Sequence, residues 1–329
     1  MSPHSRSVTP MVEGGILSAV AIIFAFISAA MPVIGVFINF IWPVPIILLG
    51  VRHGYRYSIM ATIVAGILIA TLMGPMQAVT VVIGFGFVGI ALGHSFRNGH
   101  SPLKTILIGS VASFVSLIMV AVITMVVMGF NPLTFNLDSV VDSIPTAMSQ
   151  AMDGYRAAGY SEDELAQIAQ LQAQLSQFFV TMIAMLKVLV PASCVFSACA
   201  STCLNYWIAK KMLKRLGYSY QGFPSFDKWC LPKWAVIPFF CGTTTMFFGQ
   251  SNGSVLVYNI GMNIQMLGIV LLLIQGLALI YFFAVKYNLS RFERRLILVL
   301  ALIGCNVVVI VGAVDAIVDY RRLRSPGLK

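Results

Sequence analysis

Nine apolar segments divide these 329 residues, at roughly 14–31, 33–50, 57–73, 76–93, 103–129, 177–209, 234–249, 255–286 and 293–318. Many approach the ~20 residues that cross a bilayer as a helix. In hydrocarbon every backbone N–H and C=O must pair within the segment, so long apolar runs are helices. Barrel strands would be about half as long and would alternate. Only 10% of residues are charged, far below the usual soluble domain. The pattern predicts an all-α, polytopic membrane protein with about nine transmembrane helices. Eight follow if 234–249 is only re-entrant.

The charges orient these helices. Arg52, Arg56, Arg97 and Lys104 lie in alternate linkers, followed by Lys210, Lys211, Lys214, Arg215, Lys228 and Lys233. The intervening linkers near Pro32, Gly74 and Ser251 carry no Lys or Arg. Excess basic charge marks the cytoplasmic side, which puts the N-terminus inside. The linker 130–176 holds only Arg156 against six acidic residues and belongs outside. The basic tail with Arg321, Arg322, Arg324 and Lys329 breaks the alternation. The net charge of +10 is thus required by topology and does not indicate a nucleic-acid partner. The expected partner of most of the surface is the lipid bilayer.

The outer linker has its own helical signals. Ser161 and Glu164 fit a capping box. After it, Leu165, Ile168, Leu171, Leu175 and Phe179 fall on one helical face. Val141, Ile144, Met148 and Met152 form an earlier stripe. Two amphipathic helices are expected, either capping the outer mouth or resting on lipid.

Four features bear on function. Ala21, Ala25 and Ala29 recur every four residues on the first helix. Such an edge permits close helix approach, either to a partner protein or to another helix of the same chain. Trp42 and Asn39 lie beside Pro43 and Pro45, which interrupt the second segment. Asn259 and Asn263 share a face one turn apart. Amides at membrane depth either join helices or contact a ligand. Lys187 lies about ten residues into its segment. A charge at that depth costs roughly 2.5–3.5 kcal/mol on insertion scales, so it must snorkel, pair or face a wet cavity. Asp315, Glu13 or an anionic substrate are the candidate partners.

Other chemistry is not legible. GFGFVG at Gly84–Gly89 lies within a span and reads as close helix packing rather than a nucleotide loop. The six cysteines form no CxxC pair and have no histidine cluster beside them, so no metal or cofactor is expected. No nucleophile–base or acid–base pair stands out, and no catalytic residue is assigned.

Two motifs, QGLALIYFF at Gln275–Phe283 and GAVDAIVDYRRLR at Gly312–Arg324, together with the order of spans, resemble the YybS-like family of predicted membrane proteins. The resemblance covers most of the chain and implies a bacterial cytoplasmic membrane, but it carries no site residues. The first six spans are similar, more distantly, to the S-components of energy-coupling-factor vitamin transporters. That likeness implies a six-helix substrate-binding bundle over 1–211, within which the external insert 130–176 falls; the apolar pattern adds three further helices and a basic tail over 212–329. It also implies that Ala21, Ala25 and Ala29 dock a membrane coupling protein with its ATPases. The three further helices and the acidic insert have no counterpart in S-components.

The leading expectation is a substrate-binding membrane protein that captures an unidentified small molecule from outside and needs a partner for uptake. Lys187, Trp42, Asn39, Asn259 and Asn263 are its candidate contacts. The alternative is a non-transporting scaffold or regulator. An intramembrane enzyme has no residue to support it.

Overall fold

The computed structural model describes residues 5–129, 131, 135–321 and 323. Among them every regular element is a helix: α1 (Ser5–Ala30), α2 (Pro32–Asn39), α3 (Pro43–His53), α4 (Tyr55–Met73), α5 (Pro75–Val81), a π-turn (Val82–Gly86), α6 (Phe87–Arg97), α7 (Pro102–Met128), α8 (Phe135–Ala157), α9 (Glu162–Val188), α10 (Val190–Arg215), α11 (Ile237–Ser251), α12 (Val255–Lys286), α13 (Arg291–Ile303) and α14 (Cys305–Val318). Short 3₁₀ turns cover Phe226–Lys228 and Lys233–Val236. The chain is all-α and polytopic.

Among the described residues, five helical stretches are long and apolar enough to cross a membrane, and seven if each of two broken pairs counts as one span. The sequence pattern predicts nine. The difference has two sources. Segment 33–50 is broken at Phe40–Trp42, just before Pro43, into an 8-residue and an 11-residue helix. Segment 234–249 yields α11 with 15 residues, about 22 Å at 1.5 Å per residue, short of the ~30 Å hydrocarbon layer. The last segment is also broken, with α13 and α14 bent by 104° at Gly304.

The chain divides into two compact units, Met1–Ala147 with Ser193–Phe223, and Met148–Ala192 with Pro224–Lys329. The division differs from the expected 1–211 and 212–329, because 148–192 goes with the C-terminal helices.

In the first unit α1 packs on α2, α3 and α4. Its core joins Ala21, Ala25, Trp42, Ile46, Leu49, Ala61 and Ile69. A second cluster joins Val44, Ile47, Leu48, Leu92 and Phe96 to Tyr206, Ala209 and Leu213 of α10. Phe96 stacks on Tyr206 with centroids 5.1 Å apart. Gly86 and Gly89 of GFGFVG do serve packing: a Cβ on Gly89 would stand 2.9 Å from Ile46 Cβ.

In the second unit α12 is the central element, packed on both α11 and α14. Val236, Leu272, Val309 and Ala316 form its buried core. The predicted capping box is present: Ser161 accepts from the Glu164 N–H and its own N–H donates to the Glu164 carboxylate. Ser290 and Glu293 form a second one at the start of α13.

Candidate functional site

The chemistry of the second unit is concentrated where α12 crosses α14. Gly276 and Gly312 set that crossing. A Cβ on Gly312 would overlap the Leu272 carbonyl oxygen, and one on Gly276 would overlap that of Val308. Backbones therefore touch, as small residues allow in membranes. Gln275 precedes the first glycine and Asp315 lies three residues beyond the second, so both point into the seam.

Gln275 Nε2 donates to Asp315 Oδ2 at 2.5 Å. Its Oε1 accepts from the Leu231 N–H at 2.8 Å, tying in the loop before α11. Arg321 Nη2 donates to the same Asp315 oxygen at 2.9 Å, with both side chains at most 1% exposed. Arg321 Nη1 donates to the Asp227 carbonyl at 2.8 Å. The pair spans six residues, too many to meet on a continuous helix. They meet because α14 stops at Val318 and Asp319 adopts a left-handed conformation with φ of 52°. Asp tolerates that conformation better than most residues. Asp319 also holds the reversed chain, its Oδ1 accepting from the Leu323 N–H at 3.2 Å. Two polar atoms of the cluster, Asp315 Oδ1 and Arg321 Nε, are buried with no hydrogen-bond partner among the described residues.

The first unit contains a cavity of about 310 Å³, lined in part by Phe40, Gly84, Phe85, Ser113, Ser197 and Ser201. Its wall includes the π-turn Val82–Gly86, a local widening often found at functional sites. The Ile83 carbonyl in that turn accepts the Ser116 hydroxyl. Phe85 leans on Trp42, with centroids 5.7 Å apart. The lining is apolar with hydroxyls and contains no charged side chain among the described residues.

Several sequence expectations fall elsewhere. Trp42 does not line this cavity. It is 1% exposed, and its indole N–H donates to the Ala21 carbonyl at 2.7 Å. It is a core residue that closes the break between α2 and α3. Ala21 and Ala25 are 0% and 1% exposed. At Ala21 and Ala25 the ridge is covered by this chain's own α3 and α4, so these two side chains are not free to meet another protein. Ser18 continues the contact by donating to the Ala61 carbonyl at 3.3 Å. The side chains of Ala29 and Asn39 lie outside the described residues.

Asn263 has a structural task. Its Nδ2 donates to the Val188 carbonyl at 2.8 Å and its Oδ1 accepts from the Ala192 N–H at 3.0 Å. Those are groups that α9 leaves open at its end and α10 at its start. Asn263 Nδ2 also donates to the Asn259 carbonyl at 2.9 Å, so Asn259 contributes backbone to the arrangement. Lys187 stands in the last turn of α9 beside this break, half-buried, where the helix dipole favours a cation. Of the carboxylates offered as its partners, Asp315 is bound to Arg321 and Glu13 to Arg52 and His53.

Gln275, Asp315 and Arg321 all lie inside the two motifs that carry the family resemblance, and that coincidence was the signal for the cluster. From the sequence, Asp315 and Asp319 read as pairing locally with the arginines after them at a membrane interface; what the spacing does not show is that the pair is buried and joined to Gln275 of α12.

The family described as predicted membrane proteins, DUF2232, matches residues 19–319. The chain belongs to that family. As a DUF2232 protein it is 25% identical over 277 residues to the uncharacterized protein YybS of Bacillus subtilis (strain 168), with 84% of each chain covered. No solved structure matches it. The DUF2232 match begins within α1 and ends at Asp319, so it takes in both the first-unit cavity and the α12–α14 seam.

Proposed function

We propose that this DUF2232 protein is a membrane-embedded binding protein for a small, mostly apolar molecule held in the first unit. The observation that carries the reading is the cavity of about 310 Å³, at the lower end of ligand-site volumes. Its aromatic and aliphatic wall is interrupted by the hydroxyls of Ser113, Ser197 and Ser201. That wall fits an apolar body with one or two polar groups and does not fit an ion. The distribution of basic linkers supports an inside N-terminus, and on this reading capture is from outside, across a bacterial cytoplasmic membrane. Uptake would need an energised partner, because the sequence holds no nucleotide motif. Such a partner would have to use a surface other than the covered ridge at Ala21 and Ala25.

Native mass spectrometry of the full chain released from lipid nanodiscs tests this reading. A retained adduct of constant mass is expected. Ala121→Phe, which fills the cavity from α7, should remove it while the protein stays folded. An adduct that survives Ala121→Phe, or only lipid-mass adducts, would overturn the reading. A second reading, a non-transporting scaffold, draws support from the absence of charge in the described cavity wall, a composition that a lipid-filled groove would share.

A further inference from the structure

In the first unit α1, α3 and α10 meet around a cleft of about 360 Å³. Its wall has two tiers. Glu13, Arg52 and Arg215 form the charged one, and Leu17, Leu48 and Met212 the apolar one, with Leu216 at the edge. Leu17 lies one turn after Glu13, Leu48 one turn before Arg52, and Met212 just under a turn before Arg215. α1 leaves the side that the basic linkers mark as cytoplasmic, and α3 and α10 return to it. Each apolar residue is therefore the deeper of its pair. The cleft opens at headgroup level and continues beside hydrocarbon, where Met212 and Leu216 are 39% and 46% exposed.

Charge decides what fits the upper tier. Glu13 is fully engaged: its Oε1 accepts from Arg52 Nη1, and its Oε2 lies 2.6 Å from His53 Nε2. Across 1–137 and 193–223 it is the sole acidic residue, so no second carboxylate answers the arginines. Arg52 spends one of its five N–H groups on Glu13. Arg215 has no hydrogen-bond or ion-pair partner among the described residues. Its neighbours are turned elsewhere, Lys210 to the Gln221 carbonyl and Lys211 over the Trp207 ring.

An entering ammonium would meet two guanidinium groups and a carboxylate with both oxygens taken. A soluble anion would use the arginines and leave the apolar tier unfilled. A phosphodiester that carries an acyl chain uses both. Guanidinium forks match phosphate oxygens, and basic recesses between membrane helices on the cytoplasmic side suit anionic headgroups.

We propose that this cleft holds an anionic phospholipid of the inner leaflet, its phosphate between Arg52 and Arg215 and its acyl chain along Leu17, Leu48 and Met212. The site is separate from the cavity at Ser113, Ser197 and Ser201 and does not rest on the function proposed there.

The test uses the full chain in nanodiscs of phosphatidylcholine and phosphatidylglycerol in equal parts. A diazirine near the glycerol end of the acyl chain is carried first by one lipid and then by the other. Adducts within 13–17 and 212–216 are read by peptide mass spectrometry. Phosphatidylglycerol should label about fivefold more than phosphatidylcholine, the ratio that one arginine gives for an anionic lipid. Arg215→Gln, a change at an exposed side chain, should remove most of that preference. Lys211→Gln removes the same charge from the same helix end but outside the cleft, and should keep it. Equal labelling by the two lipids would overturn the proposal. So would an equal loss in Lys211→Gln, which would mean diffuse charge alone. A preference abolished by inorganic phosphate, but not by chloride of the same ionic strength, would give the cleft to a soluble anion and overturn it too.

Discussion

Asp315 Oδ2 and Arg321 Nη2 stand 2.9 Å apart, and neither side chain is more than 1% exposed. An ion pair in that position is held by its own geometry, since each charge alone would be stranded. Removing one partner of such a pair typically costs about 3–5 kcal/mol, whereas replacing both with apolar residues is often nearly neutral. Arg321→Gln and Asp315→Leu should each lower the thermal unfolding midpoint of the detergent-purified protein. The double variant Asp315→Leu with Arg321→Leu should recover much of the loss, measured as a coupling in the same assay.

The α12–α14 seam gives a second expectation. Gly312→Ala places a methyl group on the Leu272 carbonyl oxygen, a backbone atom that cannot swing aside. Forcing an extra carbon into a packed core costs about 1–3 kcal/mol. Because it also separates Gln275 from Asp315, Gly312→Ala should raise protease sensitivity across 224–329 more than Gly253→Ala, where nothing stands within 4 Å of the added carbon. Gly253 has a positive φ of 65°, so its alanine variant controls for turn strain alone.

On α1, Ala25→Leu should destabilise the protein itself, by about 1–3 kcal/mol, since its side chain is sealed against the first unit's core. Ile16→Leu, on a side chain 60% exposed, should stay within about 0.5 kcal/mol. Differential scanning fluorimetry of the two variants checks the contrast. Equal behaviour would mean that the ridge is not internal packing.

Asn263 supports the break between α9 and α10 with two opposite groups. Asn263→Leu leaves the Val188 carbonyl and the Ala192 N–H open, at about 1–3 kcal/mol for each buried group left unpaired. Asn263→Asp keeps the acceptor for Ala192 and loses the donor to Val188. Amide exchange at Ala192 should therefore accelerate strongly in Asn263→Leu and little in Asn263→Asp.

Much of the fold was legible because membrane helices leave a strong one-dimensional trace. The apolar runs, the capping box at Ser161 and Glu164, and the packing role of GFGFVG all appear as expected. What the pattern overcounts are the segment broken into α2 and α3, and the short α11, where composition says span and continuous helix length does not. The small-residue ridge was visible, but spacing cannot distinguish a neighbour in the same chain from a neighbour in another. Trp42 does not itself reach a cavity: its ring abuts Phe85, which does line one, while its own N–H is spent on Ala21. Local pairing of Asp315 and Asp319 with the arginines beyond them was legible, but that Asp315 takes Arg321 in a buried position was set by a backbone detail. Helical spacing joins residues three or four apart, and only the left-handed turn at Asp319 brings the sixth within reach.

That turn has a consequence for where the chain tolerates a change of length. Asp315 and its counter-charge lie on either side of one left-handed residue, so a residue inserted or deleted between them would part the two charges as surely as replacing either one.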